Sequence, residues 1–329
     1  MFRNPGALCP MASVQPDHPT RPAKIGLTLP HREKPDGQRS WAQIRDMAAL
    51  AEAIGFDSLW LVDHFLFKSE NAPPKGIWEC WSLLAALAAC TKTVEIGTLV
   101  LGMGFRNPAL LAKMADTVDE ISGGRLILGL GAGYQKSEYD AFGYPFDYKY
   151  SRFEEAIQIV HGLLKNGHVD FEGRFYSARE CQLKPRGPRP QGPPILIGSC
   201  GHKMLRLVGR YADMWNGIWD ELGNNPQDLA KVRPLIDEAC ADVGRDPATL
   251  ARTFSVLVTG DGSVPYWEAS MSEDDIKALK PMKGAPGDIA KSLRAFVAEG
   301  ACHIQIHLDP STPQALEKLA PVLEAFDSG

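Results

Sequence analysis

The chain has 329 residues, of which 35 are Lys or Arg and 40 are Asp or Glu, so its formal net charge is −5. Because no long run of one sign occurs, this balance predicts neither a nucleic-acid surface nor attachment to an anionic membrane. No apolar run reaches the roughly 18 residues that a membrane helix needs. We therefore expect the partner to be a small molecule or a second copy of the chain.

Seven cysteines, at positions 9, 80, 90, 181, 200, 240 and 302, form no Cys-x-x-Cys pair and have no regular spacing. This pattern indicates reduced thiols in a cytoplasmic protein rather than a disulfide framework or a zinc knuckle. Residues 1–23 are rich in proline and polar residues and lack the apolar core of a signal peptide, so they are predicted to be a disordered extension, within which Met11 offers an alternative start. Residues 24–329 are predicted to form one folded domain.

The predicted elements alternate between strands and helices. In the first half, they are strands at 24–29, 58–62, 94–101 and 125–131, with helices at 41–54, 78–90 and 108–121. Residues 134–194 form a longer excursion that holds a helix at about 150–164 and a hairpin around Gly173. The alternation then resumes with strands at 195–198, 214–218, 253–258 and 303–308, and helices at 202–211, 226–243, 287–299 and 312–326.

Eight strands, each followed by a helix, predict an α/β fold of the single (β/α)8 TIM-barrel type, with an insertion between strands 4 and 5. The irregular segment at 260–285, rich in Gly, Pro and charge, has the composition of an active-site lid. No Gly-x-Gly-x-x-Gly sequence joins the first strand to the first helix, so a dinucleotide-binding Rossmann fold lacks its main support.

Two proton-handling side chains, Asp63 and His64, follow the apolar strand 58–62. In a (β/α)8 barrel, the C-terminal ends of the strands form the catalytic face, so His64 is a candidate acid or base. A loop histidine anchored by its neighbour is the structural alternative. The segment 198–203 (GSCGHK) joins strand 5 to its helix, where backbone N–H groups, a hydroxyl and the positive helix end suit a phosphate, although a tight capped turn needs the same residues.

On strand 8, His303, Gln305 and His307 share one face, and His307 lies nearest the mouth of the barrel. These side chains either border a substrate or, with the Asp-His pair of strand 2, bind the metal of a barrel hydrolase. No bridging carboxylate-lysine pattern accompanies them, so no metal is predicted. Glu79, just inside the second helix, either lines the substrate pocket or stabilises the positive end of that helix, and Trp78 is a candidate for the apolar wall of the pocket.

Five stretches carry a family resemblance. They are FDSLWLVDHF at 56–65, WECWSLLAALA at 78–88, the run from Val94 to Tyr134, FGYPF at 142–146, and the run from Pro193 to Asn216. Together they are spread over about two thirds of the chain, and they resemble the bacterial luciferase-like monooxygenase family, specifically its branch of F420-dependent oxidoreductases.

The resemblance implies roles for single residues. Asp63 and His64 match the family's Asp-His pair, in which the histidine lies near the hydride-carrying carbon of the deazaflavin. Leu99 and Val100 match a cis peptide that supports one face of the ring. Further cofactor positions follow: Gly102 and Gly104 near the ring or its side chain, Gly131, Ala132, Gly133 and Tyr134 beside the ribityl chain, and Gly198, Ser199, Cys200 and Gly201 around the phosphate.

The implied cofactor is coenzyme F420, with FMN as the alternative. The luciferases carry an arginine for the FMN phosphate in the loop after strand 4, where this chain has Ala132, and this difference favours F420. Ser199 and Cys200 favour F420 less, because many F420-dependent members have Ala or Gly there.

The expected activity is hydride transfer between F420 and a small organic substrate, a carbonyl or alcohol, an imine or an activated alkene, with His64, tuned by Asp63, as acid or base. An FMN-dependent monooxygenase served by a separate reductase, a non-catalytic flavin-binding barrel and a metal hydrolase are the alternatives. The family also implies a homodimer.

Overall fold

A computed structural model of the chain describes residues 21–34, 37–69, 72–259 and 279–329. Up to residue 166, the elements are β1 (Lys24–Thr28), α1 (Trp41–Ala53), β2 (Ser58–Leu61), β3 (Leu66–Ser69), β4 (Ala72–Gly76), α2 (Cys80–Cys90), β5 (Glu95–Thr98), β6 (Leu101–Gly102), α3 (Pro108–Ser122), β7 (Leu126–Gly131), α4 (Lys136–Phe142) and α5 (Lys149–Asn166). The later elements are β8 (His168–Glu172), β9 (Ser177–Gln182), β10 (Ile195–Gly198), α6 (His202–Tyr211), β11 (Met214–Ile218), α7 (Trp219–Leu222), α8 (Pro226–Ala241), β12 (Ala251–Thr259), α9 (Pro286–Ala298), β13 (His303–Asp309), α10 (Pro313–Glu317) and α11 (Ala320–Ser328).

The parallel strands belong to one sheet in the order β10-β11-β12-β13-β1-β2-β5-β7-β6, and a further pairing of β10 with β7 closes it. Segments β5 and β6 correspond to one predicted strand, and the Leu99-Val100 peptide between them is cis, as the family resemblance implied. This closed parallel order, with helices between successive strands, confirms the predicted (β/α)8 barrel.

Strand β2 is buried along its whole length, as its largely apolar sequence predicted. Its Trp60 ring packs on Gly97 of β5, where any β-carbon would overlap the indole carbons. Glycine at this position therefore lets a large aromatic side chain fill the space beside a neighbouring strand.

By its internal contacts, the chain divides into two compact units. Of the described residues, unit one comprises 21–29, 49–59, 199–259 and 279–329. Its strands β11, β12, β13 and β1 pair in parallel, with Ser255 opposite Gln305 and Gln305 opposite Gly26. Polar side chains on these strands bond to one another: Asn216 donates from Nδ2 to Thr253 Oγ1 at 2.8 Å and to Gln305 Oε1 at 3.0 Å.

Of the described residues, unit two comprises 30–34, 37–48, 60–69 and 72–198. Within it, β7 pairs in parallel with β5 and with β10. Strands β8 and β9 form an antiparallel hairpin where the sequence placed one around Gly173, and the Glu155 carboxylate of α5 accepts hydrogen bonds from the backbone N–H groups of its turn. The antiparallel pair β3–β4 and helix α4 were not predicted. Two prolines in β4 suggested a loop, and a two-stranded edge is where a sheet tolerates proline.

Two helix boundaries differ from the prediction for identifiable reasons. Helix α2 begins at Cys80 rather than at residue 78, because the Glu79 carboxylate caps it by accepting from the N–H groups of Trp81 and Ser82 at 3.0 and 2.7 Å. The predicted helix at 312–326 is instead the pair α10 and α11. Pro321 lies in the first turn of α11 and has no N–H to continue the helix that precedes it.

The N-terminal boundary of the predicted domain differs from expectation, and most of the predicted lid lies outside the described residues. Residues 1–20 also lie outside them, but Arg21, which the sequence assigned to the extension, has a side chain that is 1% exposed and forms ion pairs with Asp57 at 2.7 Å and Asp327 at 2.8 Å. Of the predicted lid at 260–285, residues 260–278 lie outside the described residues. Met282 is described, and its backbone exchanges hydrogen bonds with Leu257 and Thr259 of β12.

The six described cysteines form no disulfide bonds with one another. No helix in the described part of the chain is both long enough and apolar enough to cross a membrane.

Candidate functional site

The Asp63 carboxylate lies just beyond the end of β2 and is buried. It accepts hydrogen bonds from Gly102 N at 3.0 Å and from Arg106 Nη1 and Nη2 at 2.6 and 3.0 Å. These bonds engage both of its oxygens in a bidentate ion pair. Asp63 therefore connects the loop after β2 to the loop after β6 and is already occupied by structural partners.

Arg106 extends this ion pair to the start of α2, where its Nη2 donates to Glu79 Oε1 at 2.6 Å. Although burial acts to lower it, the pKa of Arg106 is raised above its usual value because Asp63 stabilises the cation. Burial likewise opposes the shift at Glu79, yet hydrogen bonds from Ser82 and Trp81 and the charge of Arg106 lower the pKa of its carboxyl. Glu79, one of the candidates for the substrate pocket, is in the structure the cap of α2. Arg106, which binds both Asp63 and Glu79, was not predicted from the sequence.

The His64 imidazole has a different carboxylate partner, Glu138 of α4. Its Nδ1 lies 2.8 Å from Glu138 Oε2, and the other carboxylate oxygen accepts from Phe65 N at 2.7 Å and Leu66 N at 3.1 Å. The Glu138 side chain is only 1% exposed. An ionised carboxylate can only accept, so this bond assigns a proton to Nδ1. The expectation that Asp63 tunes His64 is corrected: Glu138 holds the imidazole.

The second imidazole nitrogen, Nε2, faces the more open side of the loop cluster. The Tyr134 hydroxyl lies 3.5 Å from it, and Tyr134 is 68% exposed. The Phe67 ring packs on the imidazole with 4.7 Å between ring centroids. The Arg32 guanidinium in turn stacks on the Phe67 ring, 3.4 Å from its centroid. A neutral His64 with its proton on Nδ1 therefore presents Nε2 as an acceptor to whatever approaches.

The glycines that the resemblance assigned to the cofactor have a packing explanation within unit two. A β-carbon on Gly102 would lie 2.7 Å from the Phe105 ring, one on Gly104 2.7 Å from the Tyr139 ring, and one on Gly131 2.5 Å from Val100 Cγ2. Side chains of the same unit thus fill the space that β-carbons at these glycines would need. Their close packing fixes the backbone next to His64 whether or not a ligand is bound.

Tyr139 is the centre of this packing. Its hydroxyl donates to the Ala132 carbonyl at 3.4 Å, and its ring contacts the Phe105 ring with 4.6 Å between centroids. Burial, followed by the negative charge of Asp63, raises the pKa of Tyr139 to about 12. The phenol stays protonated at neutral pH, and its place beneath Gly133 and Ala132 shapes the loop after β7.

The segment proposed for the phosphate follows β10. Ser199 accepts from Trp215 Nε1 through its carbonyl at 2.7 Å. Gly201 is the N-cap of α6 and supplies no side-chain cap, and no atom lies within 4 Å of where its β-carbon would be. The first amides of α6 therefore border open space, which fits a phosphate.

Two carboxylates oppose an anion near this turn. Burial, Glu221 and Asp220 together raise the pKa of the Cys200 thiol to about 12, and burial and Glu221 raise the pKa of Asp220 to about 6. Cys200 is therefore a protonated thiol, not a nucleophile. The uncapped helix start nevertheless suits an anion, because its N–H groups can contact the anion directly.

Two further candidates were predicted, Trp78 and His307. Trp78 is 48% exposed, and its Nε1 donates to the Arg39 carbonyl at 2.7 Å. His307, on β13 of unit one, packs edge-on against Trp219 with 6.1 Å between ring centroids. Across residues 21–34, 37–69, 72–259 and 279–329, no three His, Cys, Asp or Glu side chains gather in a way that could hold a metal ion.

Comparison with known proteins identifies the family. A model of the luciferase-like monooxygenase family matches residues 23–268. A 5,10-methylenetetrahydromethanopterin reductase of Archaeoglobus fulgidus is 30% identical over 271 residues, 74% of this chain and 76% of that protein. An F420-dependent glucose-6-phosphate dehydrogenase of Amycolatopsis mediterranei is 34% identical over 226 residues, 66% of this chain and 64% of that protein.

Solved structures agree on the fold. An F420-dependent secondary alcohol dehydrogenase, in complex with an F420-acetone adduct, superimposes with a TM-score of 0.78 at 20% identity, over 92% of this chain and 99% of that chain. The family model covers well over half of the sequence and agrees with the stretches from which the resemblance was first drawn. The chain belongs to the luciferase-like monooxygenase family.

Proposed function

We propose that the chain is an F420-dependent oxidoreductase that transfers a hydride between this deazaflavin and a small organic substrate, a carbonyl or alcohol, an imine or an activated alkene. The observation that carries the proposal is the His64 imidazole, which a buried carboxylate holds at Nδ1 while Nε2 faces the open side. Similarity to a relative named for its dependence on F420 supports the choice of cofactor.

His64 handles the proton that accompanies the hydride. When bound, F420 supplies a carbon that gives or accepts a hydride. In alcohol oxidation, His64 Nε2 accepts the hydroxyl proton, and in carbonyl reduction, the imidazolium returns a proton to the substrate oxygen. Glu138 keeps the proton on Nδ1 and stabilises the positive charge that the ring then carries. Asp63, bound to Arg106, acts as a positioning residue rather than as an acid or base.

We place the cofactor phosphate at the first amides of α6, next to Gly201, because these amides lack a side-chain cap and border open space. Leu99, Val100 and the loop from Gly131 to Tyr134 are the proposed contacts of the ring and its side chain. A homodimer, a separate reductase and a cytoplasmic location stay predictions.

We expect the purified protein to bind F420 with a micromolar or lower Kd and FMN at least about tenfold more weakly, a difference of about 1.4 kcal/mol. The physical reason is the absence of an arginine at Ala132 to neutralise the FMN phosphate. Quenching of cofactor fluorescence measures both constants. Preference for FMN would support the monooxygenase alternative, and failure to bind either cofactor would contradict the proposal.

A matched pair of glycine variants tests the phosphate position. We expect G201A to leave the unfolding midpoint unchanged, because its β-carbon meets no atom, and to weaken F420 binding about tenfold by filling the space above the α6 amides. We expect G133A to be destabilised by about 1–2 kcal/mol or more, because Gly133 has a φ of +75° and Tyr139 blocks its β-carbon. Chemical denaturation and fluorescence quenching measure the two effects. Unchanged F420 binding by G201A would move the phosphate elsewhere.

A further inference from the structure

Buried polar atoms without a hydrogen-bond partner gather in one part of unit one. Among the described residues, they include Thr28 Oγ1, Thr259 Oγ1, His307 Nε2 and Ser311 Oγ. Thr259 is 2% exposed and Ser311 is 4% exposed. Since a buried hydroxyl without a partner destabilises the fold, such a group calls for an explanation.

The strand register brings these groups to the same end of three adjacent strands. Strand β13 pairs with β12 on one side and with β1 on the other. His307 lies opposite Leu257, two residues before Thr259, and Thr28 is the last residue of β1. Residues two apart on a strand share a face, so His307 lies on the same face as Gln305. Ser311 follows two residues after the end of β13.

Deeper on the same strands, the polar side chains are paired. Ser58 Oγ lies 2.7 Å from His303 Nε2, and Thr253 Oγ1 and Gln305 Oε1 both accept from Asn216. Gln305 Nε2 is the first atom of this row to lack a partner. The pairing therefore stops towards the C-terminal ends of the strands, where members of this fold place their ligands.

We propose that Thr28, Thr259, His307 and Ser311 bind the oxygen atoms of an uncharged substrate that carries several hydroxyl or keto groups. The inference rests on the proposed function and deepens it by naming the class of substrate. Four separate groups on three chain segments need more than one oxygen atom to satisfy them. Neutral hydroxyls and an imidazole match alcohol and ketone oxygens because each can donate or accept.

The surroundings disfavour an anionic substrate. Burial lowers the pKa of His307 to about 4, so the ring is neutral at pH 7 and offers no cation. Trp219 packs against His307 and forms an apolar cluster with Leu257 and Leu279, which suits a carbon skeleton. None of the four proposed groups would supply a counter-charge to a phosphate or carboxylate.

Stability of the apoprotein provides a test that needs no cofactor. The double variant T28V/T259V removes two unpaired hydroxyls at constant shape, so we expect its Tm to be unchanged or about 1–3 °C higher. The control T98V removes a hydroxyl that donates to Gly129 O at 2.8 Å and accepts from Gly129 N at 3.0 Å, and its Tm is expected to fall by several degrees. A fall for T28V/T259V as large as that for T98V would overturn the view that these hydroxyls are unpaired.

Binding is tested on the F420-loaded protein, and on the apoprotein in parallel, with glycerol, dihydroxyacetone, xylitol, glucose and fructose, and with the phosphate esters of the same compounds. We expect at least one uncharged probe to raise the Tm by about 2–4 °C at saturation and T28V/T259V or S311A to abolish that rise. The inference would be overturned if only the phosphate esters raised the Tm, or if no uncharged probe did. Bound water would then be the partner of the four groups. Protection by an uncharged probe in a chain that fails to bind F420 would sustain this site and refute the proposed function.

Discussion

Replacing His64 by alanine is expected to lower kcat for F420-linked hydride transfer by about 10²- to 10⁴-fold, the usual contribution of a positioned acid or base, with F420 affinity changed by less than about twofold. The imidazole is the group whose Nε2 can exchange a proton with the substrate oxygen, because its Nδ1 is held by Glu138. Steady-state kinetics and fluorescence quenching on the same preparation separate the two effects.

The control for this variant is H168A. His168 begins β8, is exposed, and makes a single described hydrogen bond from its ring, to the Asn166 carbonyl at 3.2 Å. We expect H168A to retain full turnover. If H64A kept the rate of the unmodified protein, His64 would have no part in the mechanism. If H64A instead lost cofactor binding together with turnover, its role would be structural.

Local sequence patterns predicted the barrel because short, largely apolar segments bounded by turn residues recur along the chain. Leu59, Trp60 and Leu61 of β2 are fully buried, so this run shows no polar positions at helical spacing. The hairpin β3–β4 could not be predicted in the same way, since Pro73 and Pro74 mark a loop in any reading of local propensity. Its pairing depends on contacts made after the chain has folded.

The position of His64 was predictable, but its partner was not. Asp63 is adjacent in sequence, yet successive side chains of an extended segment point in opposite directions, and Asp63 turns to Arg106 instead. Glu138 lies 74 residues further along the chain. Only the neighbouring positions of β2, β5 and β7 in the folded sheet bring the loops of His64 and Glu138 together. The one sequence signal for the partner of His64 was the presence of a carboxylate, Glu138, soon after predicted strand 4.

The same reasoning limits what the glycines can reveal. Gly102 and Gly104 matched the family pattern, and their sequence positions suggested contact with a ligand. In the structure, Phe105 and Tyr139 occupy the space that their β-carbons would need. Gly201 differs, because its β-carbon position is open. Family resemblance thus locates the glycines, whereas the packing around each one distinguishes structural need from room for a ligand.

The variant E138Q is expected to reverse the tautomer of His64. One Glu138 oxygen accepts from two backbone N–H groups, those of Phe65 and Leu66, so the glutamine carbonyl should keep that place and turn its NH2 group towards Nδ1. Nδ1 then becomes an acceptor, and the proton of the neutral ring moves to Nε2, which can no longer accept the proton of an alcohol. We expect kcat for alcohol oxidation to fall about 10- to 100-fold, the usual effect of removing a partner that orients a functional histidine.

Nitrogen-15 NMR of the apoprotein, with labelled histidine, measures the tautomer directly and does not depend on the cofactor. The matched control is E155Q, since Glu155 also accepts from backbone N–H groups, those of Arg174, Phe175 and Tyr176, but has no described bond to a histidine. Both variants should lose some stability, and E138Q alone should exchange the protonated nitrogen of His64. An unchanged tautomer with an unchanged rate would mean that Glu138 braces the loop after β2 and contributes nothing to proton transfer.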